Sequence, residues 1–157
     1  MRVKRVVKNI FIAAAVAVVG FILLNIAFFL DFLFQSLIDT FVALFTHIDF
    51  NMTWHWFAPI KHAMFVVVIG LISWPIFHSK LRVLFKAVYM TVPLAVVFVT
   101  IGMFLYRSPL AAYTLGGLFS LSVLYYLYRT KQPWVYYYTV ILVSLTLLLV
   151  ELLGVEI

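Results

Sequence analysis

The stretch MRVKRVVKNIFIAAAVAVVGFILLNIAFFLDFLFQSLIDTFVALFTHI, residues 1–48, decides the fold of this chain, because it holds either one membrane crossing or two. Residues 10–30 form an apolar run longer than the roughly 7 to 15 residues of a secretory leader's core. The basic start with its alanines therefore reads as a retained first span. Residues 32–48 are apolar enough for a second crossing, but Asp31, Gln35, Asp39 and His47, with Ser36 and Thr40 alongside, recur at helical spacing. Such a polar stripe predicts an amphipathic helix along the outer surface, or a re-entrant hairpin, between spans one and two, with the stripe facing water or the bundle mouth.

Charge placement favours the same reading. Arg2, Lys4, Arg5 and Lys8 precede the first apolar run, Lys80, Arg82 and Lys86 separate the second from the third, and Arg129 and Lys131 separate the fourth from the fifth. These nine of the eleven basic residues share one side of the alternation, while Asp31, Asp39, Asp49, Glu151 and Glu156, together with Lys61 and Arg107, fall on the other. Basic residues next to membrane segments stay in the cytoplasm. The expected topology is a multi-pass protein of the cell membrane with five spans, a cytoplasmic N-terminus and an extracytoplasmic C-terminus. Counting residues 32–48 as a crossing would carry Lys80, Arg82, Lys86, Arg129 and Lys131 outside.

Composition excludes a water-soluble globule. The 157 residues are 67% hydrophobic and only 10% charged, against about 45–50% apolar and about 25% charged in ordinary soluble domains. The net charge of +6 follows from charge-directed insertion and attraction to anionic headgroups, so membrane lipids are expected partners and nucleic acid is not. The sequence has no cysteine, which removes disulfides, thiolate metal sites and cysteine nucleophiles.

A crossing of about 30 Å takes about 20 helical residues, a length met by residues 10–30, 87–106, 109–128 and 134–153. Residues 63–77 are shorter and would cross with Lys61 and His62 reaching toward the outer headgroups. Pro109 and Pro133 open spans four and five, and Pro93 predicts a kink in span three. Tyr125, Tyr126 and Tyr128 with Trp134, Tyr136, Tyr137 and Tyr138 have the composition of an interfacial aromatic belt, or alternatively of a quinone or headgroup cradle. With no repeat and no linker, residues 1–157 are expected to form one all-α transmembrane domain.

The chemistry is thin. In this register the hydrocarbon centre carries no charge, which disfavours a proton relay. The ionisable residues gather at the outer face, where Arg107 is expected to meet Glu151 or Asp31, either as an ion pair or as a guanidinium that grips a phosphate or carboxylate. His47, Asp49, His55 and His62 have the residue types of a zinc site, and His47 or His55 with Asp49 those of a catalytic base and its orienter, with Ser108 or Thr53 as the nearby hydroxyl. Their spacing matches no helical metal signature, so no cofactor is assigned and interfacial roles are preferred. Ala13, Ala17 and Gly20 on span one, and Ala112, Gly116 and Ser120 on span four, make small-residue stripes suited to close helix packing within the chain or to a partner.

The basic start and Ala13 and Ala17, four apart on the first span, resemble the substrate-binding subunits of energy-coupling-factor vitamin transporters. That resemblance covers about the first twenty residues and implies docking of a partner through small residues; no vitamin-pocket motif follows it. The functional expectation is a non-catalytic membrane subunit that binds a partner protein or a hydrophobic, lipid-like ligand, or associates with its own copies. Two alternatives stay open. One is a transporter or channel module with a path lined by Asn25, Thr91, Thr100 and Thr114, and the other a membrane enzyme with an outward-facing His/Asp site.

Overall fold

The computed structural model describes residues 2–45 and 57–152, and every element among them is helical. In chain order these are α1 (Arg2–Phe45), α2 (Phe57–His78), α3 (Val83–Leu105), α4 (Pro109–Arg129) and α5 (Trp134–Leu152). The first four contain stretches long and apolar enough to cross a membrane, and α5 carries a shorter apolar stretch, Trp134–Val150. The chain thus has the helical character of a multi-pass membrane protein.

The first departure from the expected pattern is α1. Instead of a span followed by a separate surface helix, 44 residues form one continuous helix, about 66 Å long at 1.5 Å per residue. The physical reason lies in the sequence: residues 21–58 contain neither glycine nor proline, so nothing interrupts the backbone ladder at Asp31. The polar stripe on its second half faces neither water nor headgroups alone, because Asp31 and Asp39 both bond to side chains of α2. Residues 46–48, the rest of the expected surface helix, lie outside the described residues.

The second departure is α2. Expected as a short crossing with snorkelling ends, it is a 22-residue helix whose Lys61 and His62 are 3% and 1% exposed. Ion pairing with α1 takes the place of a reach toward the headgroups.

Helix α3 is the hub, packing against α1, α2, α4 and α5. It runs as helix through Pro93, and from Ala87 to Val96 almost every side chain is buried. Such all-round burial suits a helix that is hydrophobic on every face. Around it lie two apolar clusters, one joining Val16, Ala95, Leu127 and Val140, the other joining Ala27, Phe65, Ile69 and Val96. The buried Thr139 hydroxyl donates to the Ala87 carbonyl at 3.2 Å and fastens α5 to the hub. Tyr136, expected in the aromatic belt, is buried in the first cluster, whereas Tyr125, Tyr126 and Tyr128 remain exposed.

Small residues are used inside the bundle. A Cβ added to Gly20 would sit 2.7 Å from the Thr91 Cγ2 atom of α3, so this glycine sets how closely the two helices approach. Gly20→Val is expected to destabilise the fold by about 1–3 kcal/mol through overpacking. Denaturant titration of the purified protein measures it, and Gly70→Val, at a position where a Cβ meets nothing within 4 Å, is the control expected to show no such loss.

Candidate functional site

Ionic contacts and apolar clefts both lie between the helices. The ionic contacts join α1 to α2. On α1, Asp31, Gln35 and Asp39 follow one another at four-residue intervals and so share a face. Gln35 Nε2 donates to Asp31 Oδ2 at 3.0 Å, and the same oxygen lies 2.6 Å from His62 Nδ1. His62 Nε2 lies 3.4 Å from the Val96 carbonyl oxygen of α3. One turn-pair further along α1, Lys61 Nζ donates to both Asp39 oxygens at 2.7 and 2.8 Å, and its ammonium lies 4.9 Å from the centre of the Phe57 ring.

Depth distinguishes the two pairs. Asp39 is partly open, with 38% of its side chain exposed, whereas the side chains of His62 and Asp31 are 2% and 9% exposed. Val96, which His62 touches, lies nine residues before the end of α3 at Leu105, about 13 Å along its axis. The Asp31–His62 pair is therefore buried between the helices, toward the end of the bundle where α2 begins. Both imidazole nitrogens face acceptors, a carboxylate and a carbonyl. Buried polar groups are tolerated where they are hydrogen-bonded, and here the carboxylate and the ring each supply the other's partner. Asp31 Oδ1 is buried without a hydrogen-bond partner among the described residues.

The residues named from sequence fall differently from expectation. Arg107 does not meet Asp31: its Nε donates to Tyr106 Oη at 2.6 Å, at the exposed α3–α4 connection. Glu151 belongs to the last turn of α5, its side chain outside the described residues. His62 joins Asp31, and His47, Asp49 and His55 lie outside the described residues. Among the described residues no group of three His, Cys, Asp or Glu side chains is placed to hold a metal. The hydroxyls expected to line a transport path bond instead to carbonyls of their own helices, Thr100 to Val96 and Thr114 to Leu110. Thr91 bonds to Val88 and, at 3.4 Å, to Gly20 of α1, while the Asn25 amide turns to Phe21.

Of two apolar clefts, one of about 420 Å³ lies between α1, α3 and α5, and the other, of about 470 Å³, lies between α3, α4 and α5. Phe98 and Gly102 wall it on α3, Tyr113, Gly116 and Gly117 on α4, and Leu145 and Leu148 on α5. Its origin is the small-residue stripe of α4. Ala112, Gly116 and Ser120 recur every fourth residue, and their face lacks the side-chain bulk that would fill the space between helices. A Cβ on Gly116 would meet Phe98 at 3.4 Å, but one on Gly102 or Gly117 would meet nothing within 4 Å. The polar groups in the wall are self-satisfied: Ser120 Oγ and Ser144 Oγ are 3.0 Å apart, and Ser120 Oγ also donates to the Gly116 carbonyl. The sequence reading recognised the stripe as a packing surface and missed the cleft, since the bulk withheld by Gly102 on α3 and Gly117 on α4 matters only once the helices are side by side.

Comparison of the chain with protein-family models, with curated proteins and with solved structures gives no match.

Proposed function

We propose that the chain is a five-span protein of the cell membrane, with its N-terminus cytoplasmic and its C-terminus outside, that acts as a non-catalytic subunit holding a hydrophobic, lipid-like ligand in the cleft between α3, α4 and α5. The observation that carries this reading is a cleft of about 470 Å³ with apolar walls and two glycines, Gly102 and Gly117, facing open space. Ligand sites are concave and mainly apolar with few polar groups. Here the two serine hydroxyls already serve each other, so an apolar chain fits better than a polar solute. The small-residue stripes support ligand over partner docking, because Gly20 is engaged by Thr91 and Gly116 by Phe98. The five-span orientation rests on the placement of nine basic residues and is tested by accessibility labelling of single cysteines at both chain ends. Organic extraction of the gently purified protein followed by mass spectrometry tests the ligand: an apolar compound in stoichiometric amount is expected, and a protein that carries only the average lipid mixture overturns the reading.

A second reading, a transport module, is favoured by one observation, the buried Asp31–His62 pair at the depth of Val96. Ionisable residues at such depth mark ion pathways in many membrane proteins. Ion or proton flux in proteoliposomes that disappears in the Asp31→Asn variant is its expected result.

A further inference from the structure

The end of α4 holds a feature that neither the cleft nor the ion pairs use. Gln132 N–H donates to the Leu127 carbonyl at 3.0 Å and Lys131 N–H to the Tyr128 carbonyl at 3.1 Å, a helix stop of the Schellman type. That stop requires a left-handed residue just past the cap, a place usually held by glycine. Here it is Lys131, with φ of 50°, the one non-glycine residue of positive φ among the described residues. Its side chain is exposed and has no carboxylate partner among the described residues. A bulky residue kept in a conformation it disfavours, with no packing in return, points to use of its charge.

The surroundings share that charge. Arg129 in the last turn of α4, and Lys80 and Arg82 in the α2–α3 connection, are exposed as well. They lie at the same end of the bundle, because Thr139 near the start of α5 bonds to Ala87 near the start of α3. Lys86 is turned away, its ammonium donating to the Phe77 carbonyl at 2.6 Å. Both ion pairs of the described residues belong to the other end, where α1 meets the start of α2. Tyr125, Tyr126 and Tyr128 are exposed on the preceding turn, offering rings at the level where headgroups sit.

We propose that this basic end is a binding surface for anionic phospholipid headgroups of the adjoining leaflet, with Lys131 as its central contact. Charge complementarity selects the occupant: four exposed cations and a row of tyrosines match a phosphate-bearing lipid whose chains lie along α4. This surface is separate from the cleft, and neither depends on the other.

The test titrates the full-length protein in detergent with phosphatidylglycerol or phosphatidylcholine, following lipid retention by native mass spectrometry and unfolding by heat. The unsubstituted protein is expected to retain phosphatidylglycerol preferentially. Lys131→Gly is expected to weaken that retention about five-fold, the contribution of one basic residue at a membrane surface. In phosphatidylcholine alone the same variant is expected to raise Tm by about 2–4 °C, since the left-handed strain is relieved. Lys131→Arg, which keeps the charge, is expected to keep the preference. Equal retention of the two lipids by the unsubstituted protein, or undiminished phosphatidylglycerol retention by Lys131→Gly, overturns the proposal. Inorganic phosphate that displaces phosphatidylglycerol at equal concentration overturns the assignment to lipid.

Discussion

Replacing His62 with Leu is expected to destabilise the protein by about 3–5 kcal/mol, and replacing Asp31 with Leu by a similar amount, whereas the Asp31→Leu/His62→Leu double variant should recover most of the loss. The cost of each single change is set by what it leaves behind. Without His62, the Asp31 side chain stays in the interior with one oxygen already unpartnered among the described residues and the other held there by the Gln35 amide. Without Asp31, His62 keeps only the 3.4 Å approach to the Val96 carbonyl. Removing both leaves no ionisable side chain at this position, and the Val96 carbonyl still receives the Thr100 hydroxyl at 2.7 Å. The double-mutant cycle is therefore expected to be strongly non-additive. Unfolding in a denaturing detergent series measures it; a double variant that loses the sum of the single losses would show that the pair is not what makes each residue indispensable. Lys61→Met is expected to cost less than His62→Leu, because its partner Asp39 is 38% exposed and can be hydrated in its absence.

The helix boundaries were legible because proline and charge punctuate them. Pro109 stands at the first position of α4, and α5 begins at Trp134, directly after Pro133. The continuity of α1 was legible in the absence of proline and glycine from residues 21–58, but the polar stripe that starts at Asp31 suggests a boundary there. The stripe of Asp31, Gln35 and Asp39 was visible; its destination was not. A polar stripe at helical spacing is compatible with water, headgroups or a second helix, and the choice depends on where Lys61 and His62 arrive after a turn of the chain. An acidic row followed some twenty to thirty residues later by adjacent basic side chains on an antiparallel helix is the signal that would have suggested the pairing. His62 drew attention as a metal ligand with His47 and His55, a reading built on nearness in sequence, while its partners Asp31 and Val96 are 31 and 34 residues away. The cleft was less legible still, because it consists of volume that Gly102 and Gly117 decline to fill from two different helices.

Filling that volume should separate ligand binding from folding. Gly102→Leu and Gly117→Leu place side chains where an added Cβ meets nothing within 4 Å, so each is expected to leave the bundle folded while excluding an apolar chain from the cleft. Glycine is also a poor residue for a helix interior, by about 1 kcal/mol relative to alanine, which makes a modest gain in stability the expected companion of lost binding. Gly116→Leu provides the contrast. Its Cβ would press on Phe98 at 3.4 Å, and the longer side chain must displace that ring or move α4 away from α3, at a cost of about 1–3 kcal/mol. The measurement pairs the amount of co-extracted apolar ligand with the unfolding midpoint for each variant. Loss of ligand from the Gly102 and Gly117 variants at unchanged or raised stability is the expected result. Full ligand retention by both would place the ligand elsewhere on the molecule, and loss of ligand only in step with lost stability would mean that the cleft is a packing defect between α3, α4 and α5, not a site.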